Sequence, residues 1–262
     1  MQRQKEVIHF LKNLRETIIE AFENFEPNKK FERKPWEHTS GGGGEISVLR
    51  GDVFEKAAVN WSGVRGDHFP TKDGSGPFFA TGVSLITHMS NPLAPTVHMN
   101  VRYIETATGW WFGGGYDLTP MGDVIEEDKL HFHKVAEDAL DPFGKDLYPL
   151  FSKGAKEYFF IPHRNKERGV GGLFFDHYNT GDFSKDFALM KAVALSFLPA
   201  ILPIYQKRIP LSFSSEEREL QLERRAHYAE FNLVYDRGTK FGFLSGGNTD
   251  AILCSMPPLA KW

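Results

Sequence analysis

Apolar residues recur along this chain with two different periods, and the change from one to the other divides it. Near the N-terminal end Val7, Phe10, Leu11, Leu14, Ile18, Ala21, Phe22 and Phe25 return at steps of three and four, the spacing of one helix face. Pro27 follows, so an amphipathic helix is predicted within residues 1–26. From Glu45 to Gly115 the period falls towards two. EISVLRG, VFEKAAVNWSGV, ATGVSLITH, TVHMNVRY and GWWFGGG follow one another, mostly with short connectors, as in an antiparallel meander. DHFPTKDGSGP interrupts them as a turn-rich loop. Beyond Pro120 the helical period returns in EEDKLHFHKVAEDAL, DLYPLFSKGAKEYFF, FALMKAVALSFLPAIL and SSEERELQLERRAHYAEF. The last of these opens with the capping-box pair Ser214 and Glu217. GVGGLFFDHY reads as a glycine-rich strand between helices, and NLVYD, KFGFLSG and AILCSM are predicted to close the chain as strands. With no internal repeat and no long linker, the pattern predicts one α+β domain over residues 1–262. Its core is a large, mainly antiparallel sheet with helices on both faces.

Strand alternation also sorts chemistry. In TVHMNVRY it puts His98, Asn100 and Arg102 on one face and Val97, Met99, Val101 and Tyr103 on the other. In ATGVSLITH, Ser84, Ile86 and His88 share a face, and the connector Met89–Pro95 allows the two strands to pair as a hairpin. A lone sheet histidine reads as a satisfied core residue. A hydroxyl, two imidazoles, an amide and a guanidinium brought together by register read as a site for an anionic ligand.

Composition narrows the ligand. The net charge of −3 argues against nucleic acid or an anionic membrane surface as main partner, so any anion must be held by placed arginines. The aromatic share of 14% suits a large core and a flat ligand alike. One cysteine, Cys254 in the apolar run AILCSM, excludes an internal disulfide and reads as core, which fits a reducing compartment. No apolar leader opens the chain and no stretch reads as the roughly 18–20 apolar residues of a membrane span. Cytoplasm is the expected location.

Other groups fill out the candidates. The run SGGGGE lacks GK[ST] and leads into a strand, so it reads as a lid or a close backbone approach rather than a phosphate cradle. His131 and His133 lie two apart on a helix and cannot both face one site. His163 stands beside Arg164 and near Arg168. Dispersed histidines suit a divalent metal, although neither HExxH nor a compact His–carboxylate spacing is present. Asp117 and Asp236 lie at predicted strand ends, as turn residues or as acid–base groups.

SGGGGEISVLRGDVFEKAAVNWSGV, NPLAPTVHMNVRY, WWFGGGYDLTP, PHRNKERGVGGLFFD and YDRGTKFGFLSGG, in this order, resemble the oxygen-dependent coproporphyrinogen III oxidases. The likeness runs from about Phe31 onwards. It implies oxidative decarboxylation of two propionates of coproporphyrinogen III to vinyls, yielding protoporphyrinogen IX, with O₂ as co-substrate and no organic cofactor. It implies that Ser84, Asn100, Val101 and Arg102 bind substrate, that His98 is a proton donor, and that Asp117 meets the pyrrole nitrogens. It also implies a divalent cation, of unknown identity, on His88, His98, His133 and His163, which selects His133 over His131. Arg168 and Arg237 are further candidates for propionates, with Asp236, Gly246, Gly247 and Asn248 as ligand positions. A homodimer formed through about residues 226–262 is implied too. Three positions depart from the family pattern: Asn248 replaces a substrate-binding arginine, His177 an acid, and Ala58 a glycine. Two other readings remain: a metal-dependent oxygenase of another substrate, and a non-catalytic tetrapyrrole-binding protein.

Overall fold

The computed structural model describes residues 2–72 and 74–262; Met1 and Asp73, the latter in the turn-rich loop, lie outside the described residues. The apolar helix expected first is α1, Gln2–Glu23, burying Val7, Leu11, Leu14, Ile18 and Phe22. Six strands follow: β1 Glu32–Glu37, β2 Gly42–Leu49, β3 Phe54–Gly66, β4 Phe78–Met89, β5 Thr96–Thr106 and β6 Gly109–Thr119. Then come α2 Glu126–Leu140, α3 Leu147–Tyr158, the short pair β7 Phe160–Ile161 and β8 Lys166–Glu167, and β9 Gly172–Tyr178. The remainder is helical: α4 Phe183–Arg208, α5 Ser215–Val234, α6 Arg237–Leu244 and α7 Thr249–Ile252.

A seven-stranded antiparallel sheet in the order β1-β2-β3-β4-β5-β6-β9 separates two layers of helices. On one side Val83, Leu85, Met99, Val101, Tyr103, Phe112 and Tyr116 pack against α1 and α4 in the main core. On the other side α5 and the residues around α7 cover only part of the sheet, where Tyr228 and Cys254 meet Ile46, Ala58 and Ile86. The fold is thus α+β with helices on both faces, as the hydrophobic periods predicted.

Two expectations are corrected. NLVYD, KFGFLSG and AILCSM are not strands: they form the end of α5, then α6, and then α7 with the turn Leu253–Ser255. Short apolar runs do not separate strand from helix. Two side-chain caps decide these: Asp236 accepts the Thr239 N–H at 2.6 Å and Asn248 the Ala251 N–H at 3.1 Å. The second correction is α4, which is long and apolar enough to cross a membrane by length and composition. It is nonetheless packed between the sheet, α1 and α2, as a core helix is. Pro203 removes the N–H that would bond the Pro199 carbonyl, and His131 of α2 donates to that carbonyl instead, at 3.2 Å.

Candidate active site on the polar face of the sheet

Register builds the site. Ile86 opposes His98 and His98 opposes Asp117; one pair further along, Ser84, Asn100 and Gly115 align, and beyond them Gly82, Arg102 and Gly113. Directly opposed residues project to the same face, so the polar side chains of β4, β5 and β6 form one floor. Ser84 is exposed although it sits mid-strand in the central strand of the sheet, and His98, Asn100 and Arg102 around it are half-buried. Tyr228 and Cys254 cover one end of this face at Ile46, Ala58 and Ile86, and Phe69 and Phe241 the other at Ala80, Ile104 and Trp111, with Ser84 exposed between them. Val101 does not join its neighbours there. Its side chain is fully buried on the α4 side, as strand alternation requires.

Two ionic clusters stand on the floor. In the first, Nδ1 of His98 is 3.0 Å from Oδ1 of Asp117, and Arg168 donates from Nη2 to the same oxygen at 2.7 Å and from Nε to Oδ2 at 3.3 Å. Thr119 adds a hydroxyl to Oδ2 at 3.3 Å. Arg168 also bonds Asn232 at 2.8 Å, and its guanidinium lies over the rings of Phe159, Tyr228 and Phe231. Burial works to raise the Asp117 carboxyl, but Arg168 and the His98 bond outweigh it and hold the carboxyl below the usual range. Burial likewise opposes the charge on Arg168, and Asp117 overrides it, so the guanidinium is held more firmly than usual. An ionised carboxylate only accepts, so Nδ1 of His98 carries the proton. Nε2 is left to accept or give one at a ligand.

In the second cluster Arg102 donates from Nη1 to Asn100 at 2.9 Å and places Nη2 2.8 Å from Oδ1 of Asp176, which β9 contributes. Arg237, the first residue of α6, approaches the other Asp176 oxygen at 3.5 Å and lies over Tyr158 and Phe174. One cluster is an acid–base pair backed by a buried cation; the other is a guanidinium pair facing an opening.

A family model described as coproporphyrinogen III oxidase matches residues 6–262. The chain belongs to the coproporphyrinogen III oxidase family. It is an oxidoreductase of haem biosynthesis, and the family implies coproporphyrinogen III, a tetracarboxylate, as its substrate.

For this oxidase the remaining expected positions sort by what they touch. Arg168, expected on a propionate, is 1% exposed in its side chain and neutralises Asp117, so its anion is the protein's own. Asp117 itself is 2% exposed in its side chain with both oxygens bonded, and reaches the floor through His98. Asp236 caps α6 and accepts the Tyr158 hydroxyl at 2.7 Å. Gly246 takes a φ of 74° in the turn between α6 and α7, beside His38, whose Nε2 donates to the Ser245 carbonyl at 2.8 Å. The Gly247 N–H bonds the Gly242 carbonyl and Asn248 caps α7, so this segment bonds to itself. In the glycine run, a Cβ on Gly44 would lie 2.4 Å from the Trp61 carbonyl, the close backbone approach expected there.

The four histidines do not fit one metal ion. His88 donates to the Ser255 carbonyl at 3.0 Å, and burial pushes its pKa down to about 3. His133 donates to the Val170 carbonyl at 2.9 Å and accepts from Tyr148 at 2.9 Å. His163, at the turn Pro162–Arg164, bonds Glu230 at 2.7 Å and Tyr235 at 2.8 Å. Each thus holds a different segment, and among the described residues no group of three or more His, Cys, Asp or Glu side chains is placed to bind a metal.

Several residues of the site were not anticipated. Asp176 is one: in FFDH strand alternation puts it on the Phe174 face, next to β6. Asn232 and Tyr158 lie on helices, where no strand register points to the floor. Lys56, Asn60 and His88 turn their polar ends to the carbonyls of Met256, Ala251 and Ser255, which anchors the helical cover to the sheet.

Proposed function

We propose that the chain carries out the oxygen-dependent oxidative decarboxylation of two propionates of coproporphyrinogen III, giving protoporphyrinogen IX. The observation that carries this reading is the placement of Arg102 four residues along β5 from His98 on the same polar face, with Arg237 of α6 joined to it through Asp176. A guanidinium pair suits a propionate, and an imidazole with a fixed tautomer suits proton transfer beside it. For each propionate, the –CH₂CH₂COO⁻ group, O₂ and one proton become –CH=CH₂, CO₂ and H₂O₂. The electron pair comes from the substrate, so the equation needs no organic cofactor. In this reading Ser84 and Asn100 orient the macrocycle, Arg102 and Arg237 fix the carboxylate, and His98 handles a proton through Nε2. Asp117, itself fixed by Arg168, keeps His98 in the right tautomer. No step is assigned to a metal.

The same reading includes a homodimer and a cytoplasmic location. Leu233, Val234, Phe243, Leu244, Leu259 and Trp262 are large apolar residues left exposed within residues 226–262, the kind of surface a second copy covers. The buried, unpaired Cys254 accords with a reducing compartment.

The test is anaerobic incubation with coproporphyrinogen III followed by admission of air, with products resolved by fluorescence chromatography. Conversion only after air enters is the expected result. Conversion without air overturns the oxygen dependence; binding without conversion in either condition leaves a tetrapyrrole-binding protein instead.

A further inference from the structure

The β6–β9 pair contains an irregularity that aims one acid. Phe112 faces Tyr178 and Gly114 faces Phe175, so Asp176 and His177 together oppose the single residue Gly113. Such a bulge turns side chains away from their regular directions. His177 takes a φ of 53°, a left-handed conformation that non-glycine residues adopt only at a cost. A Cβ on Gly113 would lie 2.8 Å from Oδ1 of Asp176 and 2.9 Å from Nη2 of Arg102. The bulge, the left-handed residue and the missing side chain therefore serve one contact, the 2.8 Å pair between Asp176 and Arg102. Arg237 stands 3.5 Å from the other carboxylate oxygen, and the His177 backbone N–H donates to Oδ1 at 3.0 Å. Burial acts to raise the Asp176 carboxyl, but Arg102, His177 and Arg237 outweigh it, so Asp176 is an anion.

Two guanidiniums and one carboxylate leave a single positive charge in excess. A substrate carboxylate that reaches Arg102 competes with Asp176 for the charge of that guanidinium. When that carboxylate leaves as CO₂, the half-buried guanidinium again lacks an anion. We propose that Asp176 is the standby counter-ion of the propionate-binding arginines, yielding a guanidinium to the substrate and recovering it once the carboxylate is lost. This rests on the tetracarboxylate reading above. It deepens that reading by adding a residue that limits affinity and prevents a spent site from capturing unrelated anions.

Asp176→Asn keeps an acceptor for the His177 N–H and removes the charge; Asp176→Ser does the same with a smaller side chain if the first variant does not fold. Coproporphyrin III, an unreactive tetracarboxylate, is titrated by fluorescence at low and high salt. The expected result is at least threefold tighter binding by the variant at low salt, with a steeper salt dependence than the parent protein shows. Equal or weaker binding by a folded variant overturns the proposal. A second measurement does not depend on tetrapyrroles: phenylglyoxal labelling of Arg102, followed by peptide mass spectrometry. Labelling should be faster in the variant, and added propionate should restore protection there more than in the parent. Labelling at the parent rate, with no effect of propionate, also overturns the proposal. If the parent ignores coproporphyrin III while the labelling behaves as expected, the tetrapyrrole reading is at fault and the counter-ion role stands.

Discussion

Nδ1 of His98 and Oδ1 of Asp117 meet at 3.0 Å because the two residues are exact strand partners, one on β5 and one on β6. Neither helix packing nor loop geometry is needed to bring them together, and the buried Arg168 fixes the carboxylate from behind. Asp117→Asn therefore leaves Arg168 a buried cation without its anion. A loss of about 3–5 kcal/mol in folding free energy is expected, together with a fall in kcat, read by urea unfolding and steady-state assay. A variant within about 1 kcal/mol of the parent would show that the ion pair is not what the core depends on.

Arg102→Ala removes a charge-assisted contact from the floor. A cost of about 1.5–3 kcal/mol in kcat/KM is expected, falling more on KM than on kcat. Unchanged kinetics with coproporphyrinogen III would place the propionate elsewhere.

The histidines separate by role. His98→Ala should abolish turnover, whereas His88→Ala and His133→Ala should act through stability, by about 1–3 kcal/mol for a lost buried hydrogen bond, and His163→Ala, whose bonds are exposed, by about 0–1 kcal/mol. Metal analysis beside activity after exhaustive chelation checks this. Complete loss on chelation, restored by one added metal, would defeat it.

His88 also sets a pH dependence. Burial lowers its pKa to about 3 in the folded chain, while in the unfolded chain it lies near the ordinary value of about 6.5. Between these values the unfolded state binds the extra proton, so its contribution is complete above about pH 6.5 and declines as pH falls. Between pH 6.5 and 5 the loss is about 2 kcal/mol. Replacing His88 with Gln should flatten that part of the stability profile, as read by thermal melts across pH.

Association is the remaining expectation. At micromolar concentration the solution mass should be that of two chains, and Leu244→Glu, at an exposed apolar site, should shift it towards one. An active monomer of the parent protein would remove the dimer from the reading.

The sheet and most of the site were legible in the sequence because both depend on a period of two. Once TVHMNVRY is a strand, Val101 must leave the face of Asn100 and Arg102. Of the helical cover, α5 was legible from its capping box, but the segments after it were not. Their short apolar runs satisfy either period, and the caps at Asp236 and Asn248 were stronger guides than hydrophobicity. The Asp117–Arg168 pairing joins residues separated by 51 positions through a loop rather than a ladder, so no local pattern announces it. The face of Asp176 follows from alternation with Phe174, but its contact with Arg102 depends on a bulge, and bulges leave little trace in composition.

The anchoring of the cover has a consequence for how the chain is made. Lys56 and its partner Met256 are 200 residues apart, Asn60 and Ala251 191, and His88 and Ser255 167. At about 5–20 residues per second of translation, roughly 10–40 s pass between the appearance of an ammonium or imidazole on the nascent sheet and that of the carbonyl it binds. Through that interval these polar groups stay hydrated, and they keep the unroofed floor from becoming one more apolar surface exposed at the ribosome.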